Sequence, residues 1–236
     1  MEFIFNFIWE KNAREENEDS LCVRHVTKEG KDYFLAVVCD GIGGLPQGEN
    51  ASSFVADSLR KEMIRISEKK SIFSKRKWRN IFLRKIYQCH QQLKAYGDER
   101  GIRLGTTLSM IFLCKNKGFL FHVGDSAVFI GKKRLKKKTK LHRKYDGALR
   151  QAVGAGIFPK VEQKRLRVKR GCIILLASDG FYQKCEKEIC EKTRIRTLGK
   201  RDCREEDITL WLRNVYKLSV QKGERDNASA ICVVCR

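Results

Sequence analysis

Proline is scarce in this 236-residue chain, at two residues, and no Gly/Ser-rich or Pro-rich stretch interrupts it. Without linker composition, the expectation is a single domain over residues 1–236, with 42% apolar residues to build its core. No apolar run approaches the roughly 20 residues of a spanning helix, so no membrane span is expected. A basic leader with a cleavage site is missing too. The start, MEFIFNFIWE, is apolar but short and carries Glu2 and Glu10, so it reads as an edge strand. Zinc-finger spacing is absent among the ten cysteines. The one C-x-x-C pair, Cys232 and Cys235, lies in a strand-like run, where positions three apart face opposite ways. The cysteines are therefore expected to be reduced, small buried hydrophobes in a cytoplasmic protein. Acid is also in short supply: 28 Asp and Glu against 50 Lys and Arg leave a net charge of +22. Such a charge attracts phosphoproteins, nucleic acid or an anionic membrane.

The positive charge is uneven. Gly131–Lys144, GKKRLKKKTKLHRK, holds nine Lys or Arg and no acid. It suits a solvated loop, a docking surface for an acidic or phosphorylated partner, or a nucleic-acid contact. The last is the weakest, because no aromatic residue is interleaved.

Apolar periodicity orders the rest of the chain. Ser20–Val26 and Tyr33–Cys39 suggest a hairpin turning through Thr27–Asp32. Residues 50–69 and Trp78–Tyr96 carry apolar positions at the helical period, giving two amphipathic helices packed on a sheet. Strands follow at Thr106–Cys114, Gly118–Val123 and Ala127–Ile130, the first two turning at Asn116-Lys117-Gly118. Asp146–Val168 reads as loop, Cys172–Ala177 as strand, Glu205–Gln221 as a helix closed by Gly223, and the remainder to Cys235 as a last strand. Helices grouped between hairpins imply an antiparallel α+β layered sandwich, not a βαβ winding.

The most telling stretch is Cys39–Gly48, CDGIGGLPQG, directly after the apolar run Tyr33–Val38. Packing explains poorly an Asp at a strand end followed by Gly-x-Gly-Gly. The glycines free the backbone for close approach to a ligand, and the Asp puts charge where a metal ion or phosphate could sit. An Asp-Gly turn is also ordinary hairpin punctuation. The pattern recurs, however: Phe119–Asp125 and Cys172–Asp179 end the same way, and Asp226 precedes Ala228–Val234. Four strand ends with four carboxylates suggest an oxygen-ligand site for a hard metal.

In order, the chain carries Arg14-x-x-x-Glu18-Asp19, Asp40-Gly41-x-Gly43-Gly44, Gly105-Thr106-Thr107, Val123-Gly124-Asp125-Ser126, Ser178-Asp179-Gly180 and Asp226-Asn227. Order and spacing together resemble the metal-dependent protein phosphatases, the PPM or type 2C family, over nearly the whole length. The resemblance implies a four-layer α/β-β/α sandwich of two antiparallel sheets flanked by helices. It implies hydrolysis of phosphoserine and phosphothreonine in proteins, through in-line attack by a hydroxide bridging two Mn²⁺ or Mg²⁺ ions. Asp40 would bridge the ions, with the Gly41 carbonyl as a further ligand, and Asp179 and Asp226 would hold the first. Glu18 would contact the second, with Asp19 beside it; Asp125 matches the position of a third, weaker ion. Arg14 matches the phosphate-binding arginine, giving Arg14, Asp40, Asp179 and Asp226 as the catalytic set. The partners implied are phosphorylated proteins, acidic ones given the charge, and a cognate Ser/Thr kinase.

The chemistry agrees: carboxylates, a carbonyl and water suit Mg²⁺ and Mn²⁺, and Arg suits a bidentate hold on phosphoryl oxygens. Other readings stay open. Arg14 and Glu18 could be a surface ion pair, Asp19 a supporting group or strand cap, and Asp125-Ser126 a turn held by its own side chain. His122 reads as a structural histidine. Ile42 stands where many eukaryotic members carry a His, which makes the chain resemble the bacterial type. The segment after VGDS is short for the flap that usually shapes substrate access. A phosphatase-like phosphopeptide binder with little turnover and a basic nucleic-acid-binding protein are the alternative functions.

Overall fold

The computed structural model describes residues 1–42, 47–68, 75–142, 149, 151–191, 195, 197–199 and 202–236, the Lys75 side chain excepted. Gly43 and Gly44 of the glycine motif, Arg143 and Lys144 of the basic tract, and Lys69, Tyr145 and Asp146 lie outside them. The strands in chain order are β1 Phe3–Glu10, β2 Asp19–Lys28, β3 Lys31–Asp40, β4 Leu108–Cys114, β5 Lys117–Val123, β6 Ala127–Gly131, β7 Leu135–Lys137, β8 Glu162–Arg167, β9 Ile173–Ala177 and β10 Ala228–Cys235. The long helices are α1 Gly48–Glu68 and α2 Lys75–Arg100. Two short helices, α3 Asp179–Tyr182 and α4 Glu186–Cys190, flank a 3₁₀ turn, and α5 spans Glu205–Gln221.

Two antiparallel five-stranded sheets result, ordered β1-β10-β9-β6-β7 and β2-β3-β4-β5-β8. Side-chain alternation shows how they stack. On β3, Phe34, Ala36 and Val38 join the core between the sheets, while Tyr33, Leu35, Val37 and Cys39 face α1 and α2. On β10, Ile231, Val233 and Cys235 face the same inter-sheet core, while Ala230, Cys232 and Val234 face α5. Central strands buried on both faces explain the unbroken apolar runs in the sequence. The outcome is the expected α/β-β/α sandwich. Cys232 and Cys235 do point into different cores, and all ten cysteines are free, with Cys190 the one that is not buried.

The helices follow their apolar stripes. Ala51, Val55, Leu59 and Met63 of α1 and Trp78, Phe82, Ile86 and Cys89 of α2 are buried over the sheet. Phe82 and Trp78 pack on Phe112 of β4 with ring centroids 4.8 and 5.5 Å away. Gly101, at φ +64, ends α2. In α5 the Arg204 N–H donates to Asp207 at the N-terminus, and Glu205, Glu206 and Asp207 fill the first turn.

Several local expectations needed correcting. The first hairpin turns at Glu29-Gly30, not across Thr27–Asp32, because both residues take left-handed backbone (φ 51 and 67) and Thr27 pairs across the ladder with Asp32. The β4–β5 turn is Lys115-Asn116, and Gly118 already lies in the strand. The basic tract is not all loop, since Leu135–Lys137 pairs with β6. Asp146–Val168 is not all loop either: Glu162–Arg167 pairs with β5 as an edge strand.

Gly118 sits where an added Cβ would overlap the Phe112 carbonyl oxygen on the neighbouring strand, whereas Gly30 has nothing within 4 Å. Gly118→Ala is therefore expected to destabilise the fold by about 1–3 kcal/mol through overpacking. Gly30→Ala should cost about 1 kcal/mol, from its left-handed backbone alone. Urea unfolding of the two variants measures the difference, and equal midpoints would contradict it.

Candidate active site

The acidic residues reach one place through ladder register. Asp19 and Asp40 are cross-strand partners at the ends of β2 and β3. In the other sheet, Ala177 at the end of β9 pairs with Ala230 of β10 and with Ala127 of β6. The chain therefore leaves β9 into Asp179 beside Asp226, which precedes β10, and beside Asp125, which precedes β6. Stacking the sheets closes a cavity of about 410 Å³ lined by Arg14, Glu18, Asp40, Gly41, Ile42, Thr107, Asp125, Leu149, Asp179, Asp226 and Asn227. Every expected site residue is there except Asp19, which is 2% exposed, pairs across the ladder with Asp40 and borders the neighbouring groove. A larger groove of about 590 Å³ runs past Phe7, Trp9 and Leu21, but its lining is more apolar and the carboxylates converge elsewhere.

Several polar residues fix these groups, and sequence reasoning gave them no role. The Asp40 carbonyl accepts from Thr107 N–H at 2.8 Å and from the Thr106 hydroxyl at 2.9 Å, and Asp40 N–H donates to Thr107 Oγ1 at 3.1 Å. Thr107 Oγ1 lies 2.8 Å from Ser126 Oγ, so one hydroxyl pair joins the Asp40 backbone to the Asp125 turn. Asn227 clamps the opposite side. Its Nδ2 donates to the Lys11 and Glu16 carbonyls at 3.0 and 2.9 Å, and its Oδ1 accepts from Glu18 N–H at 2.9 Å. The Arg14 loop is thereby tied to the residue after Asp226. The motif pairs Thr106-Thr107 and Asp226-Asn227 marked these positions, but their bonds span 19 to 216 residues and have no local signature.

Glycine is required at Gly41, and at Gly48 it leaves room for Glu18. A Cβ on Gly41 would meet the Gly48 backbone at 2.6 Å, and one on Gly48 would meet Glu18 Oε1 at 2.6 Å. The missing side chains let the Glu18 carboxylate rest on the first residue of α1.

Arg14 holds Asp226 in a two-pronged contact, Nε to Oδ1 at 3.0 Å and Nη2 to Oδ2 at 2.9 Å. This bond raises the Arg14 pKa further. The carboxylates are strained electrostatically. Burial, then repulsion from Asp19, Asp179, Asp125 and Asp226, holds the Asp40 pKa well above the usual range. Burial, then Glu49, raises Glu18, with Arg14 opposing. Burial pushes Asp19 up to about 7 even though the Ser229 and Ser178 hydroxyls pull it down. Those hydroxyls stand near but off line, for neither Asp19 oxygen has a partner at hydrogen-bonding geometry. An oxygen-only lining with excess negative charge is what a hard divalent cation fits.

Among the described residues, His122, His142 and Glu162 also bring ligand atoms within 4.8 Å of one another. Their hydrogen bonds oppose a metal there. His122 Nε2 donates to the Lys140 carbonyl at 2.9 Å, leaving Nδ1 to accept from the Ser109 hydroxyl at 3.0 Å. His142 Nδ1 accepts from Gly124 N–H at 3.1 Å, and Glu162 accepts from Lys140 N–H at 2.9 Å. Burial drops the His122 pKa to about 4, so the ring is neutral. His122 is a structural histidine, as its strand position implied.

The model of the family described as Protein phosphatase 2C matches residues 12–213. A candidate protein phosphatase of Mycoplasma genitalium is 23% identical over 243 residues, covering 88% of this chain and 90% of its own. Among solved structures, a serine/threonine phosphatase of Staphylococcus aureus superposes with a TM-score of 0.82 at 20% identity, over all of this chain and 96% of its own. One from Mycobacterium tuberculosis gives 0.77 at 19% identity, over 99% of each chain. At such identities the structural likeness establishes the fold.

Asp19 supplies a test of carboxylate burial, with charge crowding added to it. It binds its proton more tightly folded, at about 7, than unfolded, at about 4. From about pH 4 to about pH 7 the folded state holds the extra proton, so its stability falls as pH rises, by about 1.4 kcal/mol per unit. With divalent cations chelated, Asp19→Asn is expected to melt above the wild type near neutral pH, with the gap closing near pH 4. A gap of the same size at both pH values would assign the effect to packing instead.

Proposed function

The chain belongs to the protein phosphatase 2C family, and from that premise we propose that it is a Mn²⁺- or Mg²⁺-dependent serine/threonine phosphoprotein phosphatase, with residues 1–236 acting as one phosphatase domain. The observation that carries this reading is the convergence of Asp40, Asp179 and Asp226, from three strand ends on two sheets, in one cavity beside Arg14. Asp40, the Gly41 carbonyl, Asp179, Asp226 and Glu18 would hold two ions, with Asp125 available to a third and Asp19 adding charge from across the ladder. Such ions supply a water of lowered pKa and neutralise phosphoryl oxygens.

The protein's own residues do the rest. Thr106 and Thr107 fix the Asp40 backbone, and Asn227 fixes the Arg14 loop against Asp226. The Arg14 side chain is 52% exposed at the cavity mouth, and the fork it offers Asp226 matches the geometry of a phosphoryl group. Ile42 lines the cavity and cannot donate a proton, so the departing serine or threonine oxygen takes its proton from water. No nucleophilic side chain is needed. Substrates of this class are made by Ser/Thr kinases, and ten free thiols favour a reducing, cytoplasmic setting.

Asp40→Asn and Asp179→Asn should each lower p-nitrophenyl phosphate turnover at saturating Mn²⁺ by roughly a thousandfold or more, with circular dichroism unchanged. Near wild-type turnover in either variant would remove the metal assignment. Arg14→Ala should instead raise KM and weaken inhibition by inorganic phosphate, while the Mn²⁺ concentration for half activity stays put. Unaltered phosphate inhibition would remove Arg14 as the phosphate-binding group. A wild type that binds phosphopeptide without turnover would make the chain a phosphopeptide binder.

A further inference from the structure

The edge of the sandwich opposite β1 and β2 concentrates cations that the proposed chemistry does not use. β7 closes one sheet there and β8 closes the other. Two hydrogen bonds join these edges. Lys164 Nζ donates to the Lys138 carbonyl, and Lys140 N–H donates to Glu162 at 2.9 Å. Residues 131–142 and 160–171 hold thirteen Lys and Arg against one acid, Glu162, whose charge Lys164 already meets at 2.9 Å. Lys132, Lys133, Arg134 and Lys136 on one edge and Arg165 and Arg167 on the other are exposed.

A lysine or two suffices to keep a sheet edge from pairing with another molecule. Lys137 is also ion-paired, with Glu186 at 2.9 Å, but the other eleven cations repel one another and call for an anionic partner. The layout favours a polypeptide over nucleic acid. These segments contain no Phe, Tyr or Trp, so they offer no stacking platform for bases. They are also continuous with the cavity. The segment after β7 returns to Gly124, next to Asp125, where His142 N–H donates to the Gly124 carbonyl at 2.9 Å. β8 begins at Glu162 opposite His122, at the cavity end, and runs away from it to Arg167 opposite Lys117. Six strand residues span about 20 Å.

We propose that the β7–β8 edge is a docking surface for an acidic stretch of the phosphoprotein substrate, engaged while the phosphorylated residue occupies the carboxylate cavity. The proposal rests on the phosphatase reading and names the substrate class within it. Charge complementarity along a track leading into the cavity selects phosphoproteins with runs of Asp and Glu near the phosphorylated residue.

The test uses the full chain with Mn²⁺ and a variant with Lys132, Lys133, Arg134, Lys136, Arg165 and Arg167 changed to Gln, its fold checked by melting. Half-variants change only the β7 or only the β8 positions. The substrates are p-nitrophenyl phosphate, a phosphoserine peptide flanked by Asp and Glu, and the same peptide with Asn and Gln. Expected is wild-type preference for the acidic peptide of tenfold or more at low salt, carried by KM and abolished by high salt. The six-site variant should lose that preference and keep p-nitrophenyl phosphate hydrolysis within twofold, with each half-variant losing part. A variant that retains the preference, an equal loss on all substrates, or a wild type indifferent to acidity would overturn the proposal. Anisotropy binding of the unphosphorylated acidic peptide tests the surface without turnover: binding lost in the variant supports it, and equal or absent binding refutes it. Tighter binding of a single-stranded RNA oligonucleotide would also refute it. Absence of wild-type p-nitrophenyl phosphate hydrolysis would instead fail the phosphatase reading.

Discussion

Like charges held together at one end of two stacked sheets are the constraint on which the rest of this structure depends. Burial and four neighbouring carboxylates act on Asp40 at once and hold its pKa well above the usual carboxylate range. A chain does not collapse spontaneously into such a cluster. It is held by the hydrophobic cores behind it: the inter-sheet core, and the two cores that α1–α2 and α3–α5 make with the outer faces. The burial of β3, β9 and β10 on both faces fixes where their ends project, and the acidic residues sit at those ends.

The cluster is also shared between sheets, which makes it sensitive to how they stack. Asp19 and Asp40 belong to one sheet, Asp179 and Asp226 to the other, and Asp125 to the crossing from β5 to β6. The polar residues around them act across that divide. Thr107 of one layer meets Ser126 at the start of the other, and Asn227 before β10 holds Glu18 before β2. Buried hydrogen bonds of this kind define a geometry more than they add stability, since each net contribution is about 1 kcal/mol. Leaving one partner unmatched costs more, which is why they keep a single arrangement.

How much of this was legible in the sequence depended on periodicity. Residues of α1, α2 and α5 carry apolar stripes at the helical period, and α5 was bounded correctly, with Gly223 marking its close. Strands buried on both faces showed as unbroken apolar runs. β8 did not: EQKRLR has one apolar residue, Leu166, and its pairing comes from the partner strand, not from its own pattern. β7 was hidden in a lysine run for the same reason, with Leu135 its one buried residue. The helical turns at residues 179–190 are too short to display a period. The carboxylates of the site stood out because charge at a strand end has no packing explanation. Thr106, Thr107 and Asn227 carried only a motif resemblance, because their roles are set by partners far along the chain. Asp19 was expected beside Glu18, as a ligand or a supporting group; ladder register sets it directly across from Asp40, where it is buried and lines the larger groove instead of the cavity.

A cavity of carboxylates presents a difficulty that the composition of the chain resolves. A phosphate monoester carries close to two negative charges near neutral pH, so the cavity walls repel the group they are proposed to receive. Bound cations would cancel that repulsion within a few ångströms, but they do not draw a substrate from solution. That falls to the net charge of +22. Because salt limits the reach of a charge to about 8–10 Å, distant lysines contribute little. Cations must lie along the path into the cavity to matter. On the β7–β8 edge the exposed Lys140 and Lys160 stand nearest Gly124 and Glu162 at the cavity end, and the other cations extend the positive field outward from them. The excess of Lys and Arg is thus an account of association, not of folding, and the cavity's negative charge is the reason it is needed.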